Sequence, residues 1–243
     1  MRRRQALAAL LLPATVAGCA GPGKAPPALI PVSAPPSKYA WFLTSGGLVN
    51  VYALTWVRKL SPTQVVTRVS GRRLGEHRWP DGGWSHLPGV KENEAVVAVT
   101  RARGWALMVE DSDPIGADDD TIAELSKGTR LVTFSHNFAA ADRFVLASDG
   151  TIVVDFDPGY PPDRAGTQPD LLVNAMNAVG LNPTLQQSAP AYVPPELATL
   201  ALTEQVTGVP LTLHLLHDST YLAAAVTTQD SEDTTQQRRS GGH

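Results

Sequence analysis

A hairpin turn signal at Asp149-Gly150 is the strongest constraint on the fold of this chain. The pair separates two short runs, Arg143–Ala147 and Thr151–Phe156, whose β-branched and aromatic residues favour strands. Asp-Gly suits the two-residue turn of a β-hairpin, because both central residues adopt positive φ there. The sequence therefore predicts antiparallel strands in this part of the domain.

Further strand and helix signals precede and follow the hairpin. Strands are predicted over Val49–Arg58, over 95–100 and 105–110 around a short turn, and over Leu131–Ser135. Residues 61–64 supply an N-cap serine, a proline at the first helical position and a capping-box glutamine, which predict a helix to about residue 69. The remaining predictions are a long loop at 70–93, helices at 121–127, 169–179 and 195–207, and a helical stretch at 211–225.

This order of elements predicts an α+β domain, because several strands in succession are followed by helices. We expect an antiparallel sheet of about five strands packed with helices, most of them C-terminal. The domain is expected to span residues 38–226, which is long enough for one substantial core.

Short motifs spread over residues 39–216 resemble an uncharacterised bacterial family, catalogued as domain of unknown function 6461. The similarity rests on the segments 54–62, 104–107, 125–129, 143–144, 149–150, 156–158, 169–170 and 207–209. Two positions depart from the family pattern: Ala53, where many members are expected to have cysteine, and Lys59, where glycine is usual. The resemblance implies no known activity, so it bears on the extent of the domain alone.

The N-terminus has the features of a lipoprotein signal peptide. Three arginines precede the apolar stretch Ala6–Val16, and the run Val16–Cys19 ends at the only cysteine of the chain. Small residues before a lone cysteine resemble the lipobox of bacterial lipoproteins. We therefore expect cleavage between Gly18 and Cys19 and acylation of Cys19, including chains such as palmitate. Secretory and twin-arginine export both stay open.

The segments flanking the domain are predicted to be a tether and a tail. Residues 19–37 contain six prolines, which favour an extended conformation that reaches up to about 55 Å. Residues 227–243 are polar and without periodicity, which predicts a disordered tail. The apolar stretch is about half the length of a spanning helix, so we expect no transmembrane helix.

Composition restricts the partners of the mature chain. Removing residues 1–18 deletes three arginines and leaves a net charge of −6, which argues against nucleic acid and against adsorption to anionic lipid head groups. We therefore expect the cell membrane as a partner through the lipid on Cys19, with the protein facing outside the cytoplasm. An envelope protein or a cell-wall ligand is the expected further partner.

A tryptophan-rich loop is the candidate ligand-binding feature. Trp79, Trp84, His77 and His86 lie in a glycine-rich segment and could form an exposed platform for a sugar or a partner protein. The alternative is that the tryptophans pin a long loop onto its own domain.

Acidic and histidine patterns give no convincing metal or catalytic site. Counting a calcium loop from Asp111 places isoleucines at 115 and 122, where oxygen ligands are required. The pair His214 and His217 lacks the intervening glutamate of a zinc motif, and Asp155 and Asp157 are expected to face solvent. We therefore expect no metal, no cofactor and no catalytic residue.

These observations favour a membrane-anchored envelope lipoprotein whose domain binds or interacts without catalysis. The alternatives are carbohydrate or cell-wall ligand binding through the tryptophan-rich loop, and a hydrolase that uses acidic residues.

Overall fold

The structure, a computed structural model, describes residues 35–138, 142–184 and 193–228. The predicted signal peptide, Cys19, most of the predicted tether and nearly all of the predicted tail lie outside the described residues.

The strands are β1 (Val51–Arg58), β2 (Arg72–His77), β3 (Glu94–Ala102), β4 (Trp105–Glu110), β5 (Arg130–Asn137), β6 (Arg143–Ser148), β7 (Thr151–Phe156), β8 (Arg164–Ala165) and β9 (Tyr221–Thr227). The α-helices are α1 (Phe42–Ser45), α2 (Pro62–Arg68), α3 (Asp119–Ser126), α4 (Val173–Ala178), α5 (Pro195–Thr207) and α6 (Leu213–His217). Single 3₁₀ turns occupy Pro36–Tyr39, Trp84–His86 and Ile115–Ala117.

All nine strands form one antiparallel sheet in the order β2-β9-β3-β4-β1-β5-β6-β7-β8. The last strand of the described chain, β9, is inserted between β2 and β3. The consecutive strands β5, β6 and β7 form a meander that continues to the short edge strand β8.

Helices cover both faces of the sheet. Apolar side chains of α2 and α3 pack on one face, and those of α1, α4, α5 and α6 pack on the other. The central strands are consequently buried on both faces, and every residue of β4 is buried. The sheet is therefore the middle layer of three, although its strands are antiparallel.

Several predicted elements are confirmed at close to their predicted positions. Ser61 and Gln64 form the predicted capping box at the start of α2, with the Ser61 side chain accepting from the Gln64 amide. Asp149 and Gly150 connect β6 to β7 with φ values of 56° and 78°, as a two-residue turn requires.

The prediction of about five strands with mostly C-terminal helices is wrong. The sheet has nine strands, and α1, α2 and α3 all precede β5. The segment 211–225, predicted to be helical, contains the short helix α6 and then β9. The segment 70–93, predicted to be a loop, contains β2.

Within residues 35–138, 142–184 and 193–228, no helix combines the length and the apolar character needed to cross a bilayer.

Candidate functional site

Three side chains of metal-ligand type converge at one end of the sheet. His136 lies near the end of β5, Asp142 immediately precedes β6, and Glu196 lies in the first turn of α5. One ligand atom from each of the three lies within 4.8 Å of the others. Because β5 and β6 are antiparallel neighbours, the end of one strand and the start of the next bring His136 and Asp142 together. Helix α5 packs on the sheet face that also carries α1, α4 and α6, and this packing brings Glu196 next to His136 and Asp142.

Hydrogen bonding and stacking orient the histidine of this cluster. The Nδ1 atom of His136 lies 2.7 Å from Oδ1 of Asp142, and the two side chains are 22% and 16% exposed. The ring of Tyr52 stacks on the imidazole at a centroid distance of 5.2 Å and an interplanar angle of 28°. Tyr52 is itself held by an edge-to-face contact with Phe134 at 5.8 Å. The histidine is therefore held on a rigid part of the sheet.

The electrostatic environment of the cluster is anionic. Burial raises the pKa of Asp142, His136 acts to lower it, and Glu196 and Asp157 raise it further. Burial also raises the pKa of Tyr52, and Asp142 and Glu196 add to that effect. In the described part of the chain, neither Asp142 nor Glu196 forms an ion pair with a lysine or an arginine. Such a cluster can attract a cation.

Two large apolar side chains lie exposed at the same end of the sheet. Phe138 follows β5 and is 73% exposed, and Val49 precedes β1 and is 77% exposed. The amide of Phe138 donates to the carbonyl of Asn50 over 3.1 Å, which holds the two segments side by side. A ligand bound at His136 would therefore lie near apolar as well as charged groups.

The structure places the tryptophans of the predicted binding loop largely inside the domain. Trp84 is completely buried, and its ring contacts Tyr221 at 5.0 Å and Trp79 at 5.7 Å. Trp79 is half-buried and also contacts His217 at 4.6 Å. Trp84 cannot present a face to a ligand, so the expected two-tryptophan platform is not formed.

The two histidines predicted to accompany the tryptophans have different environments. His77 ends the edge strand β2 and is half-buried, whereas His86 is exposed at the end of a 3₁₀ turn. A role for Trp79, His77 and His86 in ligand binding stays a prediction.

The acidic residues around the segment that was counted as a calcium loop, and rejected as one, have separate partners in the fold. Asp111 accepts hydrogen bonds from the backbone amides of Trp84 and Ser85. Asp119 forms an ion pair with Arg143 at 2.7 Å. These carboxylates therefore support local structure rather than a shared ion.

A buried carboxyl, Glu110, lies beside that loop. It is completely buried at the end of β4 and accepts from the amides of Ile115 (2.8 Å) and Gly116 (3.1 Å). Burial raises the pKa of Glu110 to about 8, although both amide hydrogen bonds act to lower it. Burial therefore favours the protonated form of this carboxyl.

The residues considered for catalysis also have structural partners. Asp155 does not face solvent as expected, because its carboxylate receives the Arg143 guanidinium at 2.7 and 3.1 Å. Asp157 follows β7 and accepts from the Gly159 amide at 2.7 Å. His214 pairs with Asp218 one helical turn away, and His217 contacts the carbonyl of Gly46.

Sequence reasoning missed the His136 cluster because Glu196 is far from the other two members in the chain. Asp142 and Glu196 are separated by more than fifty positions, and no spacing rule connects a strand end to the first turn of a distant helix. A correct sheet topology would have been needed to bring them together.

The comparisons with known proteins give a family and no activity. A family model described as "Family of unknown function (DUF6461)" matches residues 32–231, which is more than half of the chain. No curated protein and no solved structure matches the chain.

Proposed function

Because the chain belongs to the family of unknown function DUF6461, whose description states no activity, we propose a function from its own residues. The protein is a lipid-anchored envelope protein whose domain binds a ligand or partner without catalysis. The observation that carries the proposal is Cys19, the only cysteine, at the end of a lipobox-like run behind a charged and apolar leader. Acylation with two or more chains would hold the protein stably on a membrane.

The described start of the domain fits a tether that arrives from an anchor. Lys38 and Tyr39 both hydrogen-bond the Glu204 carboxylate on α5, at 2.8 and 2.6 Å. Tyr39 is completely buried, so the chain is attached to the body of the domain directly behind the proline-rich segment. Force applied to the tether would therefore act first on the contacts between this segment and α5.

A non-catalytic role is supported by the partners of the acidic residues considered for hydrolysis. Asp155 is engaged by Arg143, and Asp119 binds the same guanidinium. Both carboxylate oxygens of Asp155 bind the arginine, so they are not free to exchange a proton with a substrate or a water.

Detergent-phase partitioning of the protein expressed in a bacterial host tests the anchor. Wild type is expected in the detergent phase, and Cys19→Ala in the aqueous phase as an unprocessed precursor. Gly18→Ala is the matched control, because it keeps a small residue before the cysteine and should partition like wild type. Unchanged partitioning of Cys19→Ala would remove the basis of the proposal.

Cell-wall ligand binding near Trp79 is the second candidate, because this ring stays half-exposed beside His217. Cell-wall fragments should then change the tryptophan fluorescence of wild type but not of Trp79→Phe, with His86→Ala weakening the response. A response that is the same in wild type and Trp79→Phe would exclude this site.

A further inference from the structure

We propose that His136, Asp142 and Glu196 form a binding site for one divalent transition-metal ion of the Zn²⁺ type. The inference is independent of the lipid anchor, since all three residues belong to the folded domain. It begins from the convergence of one imidazole and two carboxylates from three separate segments of the chain.

The separation of the ligand atoms is close to what an ion requires. Zinc binds histidine nitrogen and carboxylate oxygen at about 2.0–2.2 Å, so two ligand atoms of one tetrahedral ion lie about 3.3–3.6 Å apart. The three atoms already lie within 4.8 Å of one another. Small rotations of the two carboxylate side chains, which are half-buried rather than locked in the core, therefore suffice to place the three atoms around an ion.

Charge favours the same occupant. Two carboxylates lie at this separation, and His136 is the hydrogen-bond partner that the described residues provide for Asp142. A divalent cation bound between them would balance the charge of the two carboxylates.

The mixture of donor atoms selects the class of ion. Calcium takes six to eight oxygen ligands, and magnesium is bound through oxygen with several waters retained. One imidazole with two carboxylates suits zinc and neighbouring transition ions instead, and three protein ligands leave a position open to water or to a further ligand. Stacking by Tyr52 supplies the fixed ring orientation that a metal-bound histidine needs.

The test is calorimetric titration of the purified full chain, freed of metal by a chelator, with ZnCl₂ and separately with CaCl₂. We expect one equivalent of Zn²⁺ to bind and Ca²⁺ to bind at least tenfold more weakly. Repeating the titration on Cys19→Ala should give the same result, so failure of the anchor and failure of the metal site are distinguishable.

Variants locate the ion. Asp142→Asn and Glu196→Gln preserve side-chain shape and should each weaken Zn²⁺ binding at least tenfold, as should His136→Ala. The matched control is His214→Ala, which removes an exposed histidine that pairs with Asp218 at 2.8 Å but has no third ligand among the residues that the structure describes. It should bind Zn²⁺ like wild type.

Circular dichroism must show that each variant is folded, and Glu196→Gln decides the matter if His136→Ala does not fold. Absence of Zn²⁺ binding in wild type would overturn the proposal. Unchanged affinity in both Asp142→Asn and Glu196→Gln would do the same, because it would place the ion elsewhere on the chain.

Discussion

The carboxylate of Asp111 accepts a hydrogen bond from the backbone amide of Trp84, 27 positions earlier in the chain. It also accepts from the amide of Ser85 at 3.2 Å, so a single side chain directly after β4 caps the 3₁₀ turn Trp84–His86. Burial raises the pKa of Asp111, and the two amide donors act to lower it. The loop is consequently fastened to the sheet at the point where Trp84 enters the core.

Gly83→Ala should disrupt this attachment. Gly83 has φ 90° and ψ 177°, a conformation that suits glycine, and a Cβ atom would overlap the Asp111 carboxylate. We expect the free energy of unfolding to fall by about 2–4 kcal/mol. Gly89→Ala is the control, because φ there is 84° but a Cβ would meet nothing within 4 Å. Urea denaturation that gives equal losses for the two variants would contradict the capping role of Asp111.

Glu110→Gln should remove a component of the pH dependence of stability. The folded-state pKa of Glu110 is about 8, above its ordinary value of 4.5, so the unfolded chain releases this proton at lower pH than the folded chain. Below about pH 4.5 Glu110 therefore makes its full contribution to the free energy of unfolding of wild type. This contribution is lost as the pH rises from about 4.5 towards about 8. The neutral glutamine has no such loss.

The expected gain of Glu110→Gln relative to wild type, between pH 5 and pH 8.5, is on the order of a few kcal/mol. Chemical denaturation at several pH values measures it. Since Asp142 titrates in both proteins, the difference between the two curves reports on Glu110 and on its coupling to Asp118 and Asp111. Parallel curves would show that the carboxyl ionises as it does in water.

Asp155→Asn should lower stability through Arg143. The guanidinium bridges Asp155, Asp119 and the carbonyl of Ala117, and the Arg143 and Asp155 side chains are 28% and 22% exposed. Losing one carboxylate of a partly buried pair is expected to cost about 1–3 kcal/mol. Asp157→Asn is the comparison, because that carboxylate caps a surface turn and should cost less than about 1 kcal/mol. Thermal unfolding with indistinguishable midpoints for the two variants would argue against a structural role for Asp155.

Tyr39→Phe should loosen the attachment of the N-terminal segment. The Tyr39 hydroxyl donates to Glu204 at 2.6 Å in a buried position, and burial, followed by Glu204, raises the pKa of this phenol. Removing the hydroxyl leaves the buried carboxylate with Lys38, at an expected cost of about 1–3 kcal/mol. Tyr160→Phe, on a side chain that is 54% exposed, should change the unfolding free energy little. Limited proteolysis near residue 35 should also be faster in Tyr39→Phe than in Tyr160→Phe.

Local signals in the sequence predicted local structure well. The capping box at Ser61 and Gln64 and the turn at Asp149-Gly150 depend on hydrogen bonds and backbone angles within a few residues, and both are formed. β9 was missed because three of its residues are consecutive alanines, which favour helix unless packing decides otherwise. In the fold they are buried between β2 and β3, where small side chains fit.

The edge strand β2 was missed for the opposite reason. Its burial pattern is mostly exposed or half-exposed, and Gly75 interrupts its register at a bulge, so no apolar alternation marks it. The His136 cluster depends on the position of α5 against the end of β5, which is a property of tertiary packing. The burial of Trp84 depends likewise on its contact with Tyr221 in β9. Because β9 was not predicted, the burial of Trp84 in the loop was not predicted either.

The insertion of β9 between β2 and β3 also constrains the order in which the protein can fold. During synthesis, β3 and β4 can pair as soon as both have been made, but β2 has no neighbour until residues 221–227 are available. Long-range strand pairing of this kind is slow and leaves unpaired edges exposed in the meantime. The nascent chain therefore requires protection of two open strand edges until almost its entire described length has been translated.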